Sequence, residues 1–332
     1  MLKFKKFDNN PVLLPNKEIW WEGGAVFNPC AILDEEGVVN MLYRAIPDKY
    51  EKKDGKLIGE YISYLGLAKS TDGKNFIKNP DFFMPPSEDY DRYGVEDPRI
   101  VKLEGIDEYL ITYSAISASV TDSNKDADLV WVKFALASTK DFKTYKKYGV
   151  IGPDHFDKDV VIFPEKINGK IALLHRIEPD IQIAYFTDFD QLINPGQKYW
   201  NHHMNNLDKF TIMKPENVWE AAKIGAGPTP IKTDAGWLLI YHGVSKEHFY
   251  KGGAALFDLE DPSKLIARIP HPILEPTESF ETNGDVPNVT FPEGAVVIDG
   301  ELIVYYGGGD TCVCGASINL QELIDYLLTF KK

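Results

Sequence analysis

Two acids, a proline and an arginine stand together at Glu96-Asp97-Pro98-Arg99, directly before the apolar run Ile100-Val101-Lys102-Leu103. A carboxyl held beside a guanidinium can serve as a proton donor or simply as an anchored ion pair. Pro98 fixes its own φ and drives the preceding residue toward extended backbone, so Asp97 is expected at the mouth of a strand. On regular alternation Asp97 and Arg99 share one face and Glu96 takes the other. Taken alone, the cluster is most simply a strand-edge ion pair. Its place in a repeat is what argues for chemistry.

Five prolines precede or open apolar runs, at Pro29, Pro98, Pro164, Pro228 and Pro292, spaced by 69, 66, 64 and 64 residues. A second mark follows each, an apolar strand ending in an aromatic or histidine: Leu42-Tyr43-Arg44, Thr112-Tyr113-Ser114, Leu174-His175-Arg176, Ile240-Tyr241-His242 and Val304-Tyr305-Tyr306. Third strands are expected at Leu65–Gly73, Phe134–Asp141, Ile183–Asp188 and Ala254–Asp258, each closing on Asp with turn residues close by. Helical periodicity is confined to the C-terminus, where Leu320, Leu323, Ile324, Leu327 and Leu328 lie on one face behind a capping Asn319. Five units of about 65 residues with three or four strands each describe an all-β, five-bladed β-propeller with a short C-terminal helix. The chain is expected to form one catalytic domain over 1–332, with an N-terminal arm at 1–20 and a terminal helix at 319–331.

Composition sets outer limits. Among 332 residues, 44% are hydrophobic and 26% charged, ordinary values for a chain with a large core. A net charge of −14 argues against nucleic acid or an anionic membrane as partner. Without an apolar leader or spanning segment, the protein is expected to be soluble and cytoplasmic. Cys30, Cys312 and Cys314 support neither a disulfide framework nor a metal site.

In a propeller the innermost strands line a channel and their ends meet at one mouth. If the proline-marked strands are innermost, Asn28, Asp97 with Arg99, Lys158 with Asp159 or Glu165, Lys223, and Asn288 or Glu293 converge there. The second strands add Arg44, Arg176, His242 and Asp310. Carboxylates, a basic cluster and aromatics in one concavity suit a carbohydrate with an anion beside it.

From about Phe27 to Ala316 the chain resembles glycoside hydrolase family 130, the β-mannoside phosphorylases and related β-mannosidases. Collinear motifs carry the resemblance: Phe27-Asn28-Pro29, Tyr43-Arg44-Ala45, Gly94-Val95-Glu96-Asp97-Pro98-Arg99, Leu174-His175-Arg176, Lys223-Ile224-Gly225-Ala226-Gly227-Pro228, Val286-Pro287-Asn288-Val289 and Gly307-Gly308-Gly309-Asp310. The resemblance implies a five-bladed propeller and inverting phosphorolysis, in which inorganic phosphate attacks a terminal β-mannoside and releases α-mannose 1-phosphate. It implies Asp97 as the acid, acting through a sugar hydroxyl. Asn28, Arg44, Asp310 and His242 would bind substrate, and Lys158, Arg176, Lys223 and Tyr250 would bind phosphate. Lys158 stands where many relatives carry Arg, which keeps the charge but not the bidentate fork. No cofactor or metal is implied, only phosphate as co-substrate. The expected partner is a β-linked mannose disaccharide or oligosaccharide, and the arm and terminal helix could pack against a second copy.

Two other readings stay open. One is an inverting β-mannoside hydrolase, with Glu165 or Glu220 as the base that activates water. The other is a non-catalytic sugar-binding propeller. Trp20, Trp21 and Trp219 could stack on further sugar rings. Linkage and acceptor depend on the loops 45–62, 116–130 and 196–218.

Overall fold

The computed structural model describes residues 1–48, 51–53, 56–58, 61–119 and 130–331; parts of loops 45–62 and 116–130 lie outside them. Strand order within the sheets gives five blades. Their first, innermost strands are Ala25–Leu33, Gly94–Lys102, Lys158–Ile162, Lys223–Ala226 and Thr290–Ile298. Second strands follow at Val39–Ile46, Tyr109–Ile116, Ile171–Arg176, Gly236–Val244 and Glu301–Gly308, and the third strands lie outside those. Blade 5 takes its outermost strand from the other end of the chain, where Lys5–Lys6 pair with Ala316 and Ser317.

The strands read as nearly continuous apolar runs because both faces of each blade are covered. One apolar cluster fills each gap between neighbouring blades. Leu42, Leu65 and Leu67 of blade 1 meet Ile100, Ile111 and Tyr113 of blade 2, for example, and Leu238 and Leu256 of blade 4 meet Leu302 and Val304 of blade 5. The C-terminal helix, Leu320–Leu328, is capped by Asn319, whose Oδ1 accepts from the Glu322 amide at 3.0 Å. It buries Leu323, Ile324 and Leu327 in the cluster between blades 4 and 5. Arm and helix thus spend their pairing edge and apolar face within the chain.

Two expectations need correction. Pro29, Pro98 and Pro292 lie within first strands, but Pro164 and Pro228 lie just past the ends of theirs. Their near-even spacing reflects the length of the repeat and not one register position. Helices also occur before the C-terminus, at Phe189–Ile193, Gly196–Met204 and Leu207–Phe210, inserted between the third and fourth strands of blade 3. The middle one buries only Trp200 and His203, too few residues to print a helical period on the sequence.

A polar unit recurs under the apolar gaps. In blades 1, 2, 4 and 5, a fully buried acid precedes the first strand: Glu22, Asp91, Glu220 and Glu281. Each accepts from a tyrosine of the second strand, Tyr43 (2.8 Å), Tyr113 (3.1 Å), Tyr241 (2.9 Å) and Tyr306 (2.8 Å). Each also pairs with a cation from the fourth strand: Lys78, Lys147, Arg268 and Lys6. A buried phenol and a buried carboxylate each need a partner, and the unit supplies both at once.

Blade 5 depends on the N-terminal arm for its cation, with Lys6 Nζ 2.5 Å from Glu281 and Glu281 wholly buried. Lys6→Ala is expected to destabilise the fold by about 3 kcal/mol, because it leaves a buried carboxylate unpaired. Lys3→Ala, which breaks the exposed pair with Glu275, should cost less than about 1 kcal/mol. Urea midpoints measure both, and equal small losses would mean that the arm does not close the ring.

Candidate active site

The site grows from a one-residue slip that blades 1, 2, 3 and 5 share, and in the first three it falls on a left-handed residue. In blades 1 to 3 the ladder between the first two strands slips by one residue. Phe27 faces Arg44 but Pro29 faces Tyr43. Glu96 faces Ser114 but Arg99 faces Thr112. Lys158 faces Arg176 but Val161 faces Leu174. The extra residues are Asn28, Asp97 and Asp159, with φ of 48°, 50° and 58°. A bulge re-aims a side chain, and Asn and Asp are the non-glycine residues that tolerate this backbone. Asp97 is therefore left-handed and not extended, and the bulge breaks the alternation that would have put its carboxylate beside Arg99.

Arg99 points across the channel. It donates to the carbonyls of Gly227 (2.6 Å), Ala226 (3.2 Å) and Asp97 (3.0 Å), and pairs with Glu293 at 2.7 Å. Room for the cluster comes from two glycines. A side chain at Gly225 would collide with Asp159 and His242, and one at Gly307 would collide with Asn28.

Above these residues opens a cavity of about 240 Å³. Its lining includes Asn28, Arg44, Asp97, Lys158, Arg176, Lys223, Tyr250 and Asp310, eight of the nine expected site residues. The ninth, His242, is fully buried beneath it, 3.5 Å from Asp159 and packed on Tyr250 and Phe291. Burial, with Arg176 and Arg99 adding to it, pushes its pKa down to about 3, so the ring is a neutral support for the floor. Glu165 pairs with Lys232 on the surface, and Glu220 belongs to the buried unit of blade 4; neither lines the cavity. Trp21 and Trp219 are core residues, whereas Trp20 is 62% exposed.

Charge inside the cavity is closely matched. Asp97 Oδ1 accepts from Asn28 Nδ2 (2.8 Å) and Arg44 (3.0 Å), and Oδ2 lies 3.4 Å from Lys158 Nζ. Burial would push the carboxyl pKa up, but Arg44, Lys158 and Asn28 outweigh it and hold the group well below the usual carboxylate range. Arg44 also binds Glu96 at 2.6 Å and Tyr61 at 3.0 Å. On the blade 3 side, Arg176 lies 2.5 Å from Asp159 and 3.3 Å from Glu178, and Glu178 in turn holds Lys223 at 2.7 Å. Burial works against ionisation of Asp159 too, and Arg176, with Arg99 behind it, reverses it.

The lining also includes Phe156, Glu178, Val286, Val289 and Phe291, to which the sequence reading assigns no role in the site. Glu178 follows Arg176 by two residues past the strand end, and the apolar members come from loops and a strand start that carry no chemical signature.

A family model described as beta-1,4-mannooligosaccharide phosphorylase, glycoside hydrolase family 130, matches residues 7–329. The chain is 41% identical to a 1,2-beta-oligomannan phosphorylase of Thermoanaerobacter sp. (strain X514), over 97% of this chain and 99% of that one. It is 38% identical to a beta-1,2-mannobiose phosphorylase of the same organism, over 97% and 99%. Among solved structures, the beta-1,2-mannobiose phosphorylase from Listeria innocua in complex with beta-1,2-mannobiose superposes with a TM-score of 0.79 at 28% identity, over 98% of this chain and 99% of that chain.

Arg44 is the main cation on Asp97, which fixes the sign of a pH effect. A depressed carboxyl pKa contributes stability that is present above the unfolded value, about 4, and is lost as pH falls through the folded value. Arg44→Met removes that depression, so its destabilisation should be larger at pH 7 than at pH 4, where the mutant's carboxyls take up protons. Denaturant melts at the two pH values read the difference, and equal losses would assign Arg44 to packing alone.

Proposed function

The chain belongs to glycoside hydrolase family 130, and on that premise we propose that it cleaves terminal β-1,2-mannosides by inverting phosphorolysis. Phosphate would form the new C1–O bond as the glycosidic C1–O bond breaks, leaving α-mannose 1-phosphate. The departing oxygen takes a proton that originates on Asp97 and passes through a sugar hydroxyl.

The observation that carries this reading is the charge complement of the cavity. Lys158, Arg176 and Lys223 face one space with Tyr250 beside them, an arrangement suited to an oxyanion. Hydrolysis by inversion needs a second carboxylate to activate water. Of the three other acids of the lining, Asp159 and Glu178 are held by Arg176 and Lys223, and Asp310 stands in the field of Arg44. Asn28 and Arg44 hold the Asp97 oxygen opposite the one that faces Lys158, and with Asp310 of the same lining they would be the partners for sugar hydroxyls. The β-1,2 linkage is supported by the names of the two relatives at 41% and 38% identity, although the family model carries a β-1,4 description.

Asp97 must hold a proton to donate one, yet the surrounding cations favour its ionised form. Lys158 Nζ is placed to resolve this, 3.4 Å from both Glu96 and Asp97 at the edge of the anion space. Phosphate that draws Lys158 toward itself weakens one of the interactions holding Asp97 ionised, and its own negative charge raises the carboxyl pKa further.

The test is incubation with β-1,2- and β-1,4-mannobiose, with and without inorganic phosphate. Mannose 1-phosphate should form only with phosphate, and faster from the β-1,2 disaccharide. Free mannose released equally fast without phosphate would move the assignment to hydrolysis. Asp97→Asn should lower turnover about 10²–10⁴-fold while disaccharide binding, measured calorimetrically, survives. Turnover close to wild type would remove Asp97 as the acid.

A further inference from the structure

Blade 3 is the blade that departs from the acid, tyrosine and cation unit, and it is also the blade that supplies Lys158, Asp159 and Arg176. Its buried acid is Asp157. The tyrosine's place on the second strand is taken by His175, whose Nδ1 lies 2.7 Å from Asp157 Oδ2. In place of the fourth-strand cation stands His203, from the helix Gly196–Met204 of the insert, with Nε2 2.9 Å from His175 Nε2. We propose that this insert positions the anion site through the chain His203, His175, Asp157, and that His203 is a positioning residue for phosphate. The inference rests on the phosphorolysis reading above.

The partners assign the direction of the hydrogen bonds. Asp157 can only accept, so His175 donates from Nδ1. With neutral rings, His175 Nε2 is then an acceptor, and His203 Nε2–H donates to it. Burial above all holds the His203 pKa down to about 3, so His203 acts as a neutral donor where the other blades have a cation. The far end of the chain reaches the site directly. Asp157 Oδ1 accepts from the Arg176 backbone amide at 3.0 Å, and the next two residues are Lys158 and the bulged Asp159. One carboxylate therefore sets the first-strand bulge and the second-strand arginine relative to each other. His203 is itself fixed by stacking on Phe210, with centroids 4.3 Å apart, and by the edge of Trp200. The rings His175, Trp200 and His203 form one buried block, so displacement at the insert passes to Asp157 without slack.

The test compares His203→Phe, which keeps the stacking ring and removes the donor, with His203→Gln, which keeps an N–H donor on a flexible side chain. The KM for phosphate should rise about tenfold in His203→Phe and stay within about threefold of wild type in His203→Gln. The KM for the mannoside should change less than twofold in both. A wild-type phosphate KM in His203→Phe, or parallel increases in both KM values, would overturn the proposal, since a purely structural role moves melting temperature and both constants together. Calorimetric titration of the wild-type protein with inorganic phosphate separates the two failures. No phosphate binding there would sink the phosphorolysis reading and this one with it. Binding that His203→Phe leaves unchanged would sink only this one.

Discussion

Charge carried into the dry end of a propeller channel has to meet opposite charge, and this molecule is arranged around that constraint. Glu96, Asp97, Asp159 and Glu293 are all buried, and so are Arg44, Arg99 and Arg176. An unpaired ion in such a place costs several kcal/mol, more than a marginally stable fold can absorb many times over. Arg99 shows how the demand is met. Its guanidinium takes the carbonyls of Gly227 and Ala226 from blade 4, that of Asp97 from blade 2, and the carboxylate of Glu293 from blade 5. One side chain thereby fixes three blades around the axis, and it leaves the Asp97 carboxylate to Arg44 and Lys158. The hub is structural, and it leaves the carboxylate above it facing the cavity.

The buried acids outside the channel transmit the same order from the rim inward. Each unit links a fourth-strand cation to a second-strand tyrosine, and the residue after that tyrosine faces the site side of the ladder. Tyr43 precedes Arg44, Tyr241 precedes His242, and Tyr306 precedes Gly307, while His175 precedes Arg176. Successive residues of a strand point to opposite faces. Pinning the aromatic therefore fixes the rotation of the strand and the direction of its neighbour. A site assembled from five blades can hold its geometry because each blade is registered in this way from both sides.

Much of this could be read in the sequence, and the failures have particular causes. Five units were legible because blade packing imposes an apolar strand with an aromatic near its end every 65 residues or so. Asp97, Arg44 and Lys223 were legible because polar residues at first-strand starts and second-strand ends have one place to converge. The backbone of Asp97 was not, since a bulge changes the register without changing composition, and Pro98 argues locally for extended backbone. Asp159 carried the bulge signature shared with Asn28 and Asp97, but recognising it needs the pairing partners that only the fold supplies. The insert was missed for a related reason. Its helices bury one residue, Leu192, and two, Trp200 and His203, against blade 3, and a helix that docks through so few residues leaves no periodic stripe. His242 looked like a ligand because it follows Tyr241 as Arg176 follows His175. The glycine opposite it, Gly225, instead lets it sink beneath the floor.

The matched charges of the cavity also bear on how such a site would turn over. A cavity whose acids and cations already satisfy one another gives a ligand no isolated charge to neutralise, so binding must proceed by exchange. Phosphate can displace Glu178 from Arg176 and Lys223, since Glu178 is the most exposed acid of that group. Sugar hydroxyls can replace Asn28 and Arg44 on Asp97. The first exchange returns Glu178 to water at the open mouth of the cavity, where the cost is smallest, and the second swaps one set of buried partners for another. Under the phosphorolysis reading both exchanges also bring the nucleophile and the proton donor into readiness together. Without phosphate, Lys158 and Arg44 keep Asp97 ionised and unable to protonate a leaving group. A water molecule in the anion space carries no charge with which to draw Lys158 away. The electrostatics that stabilise the resting site would then themselves discriminate phosphate from water.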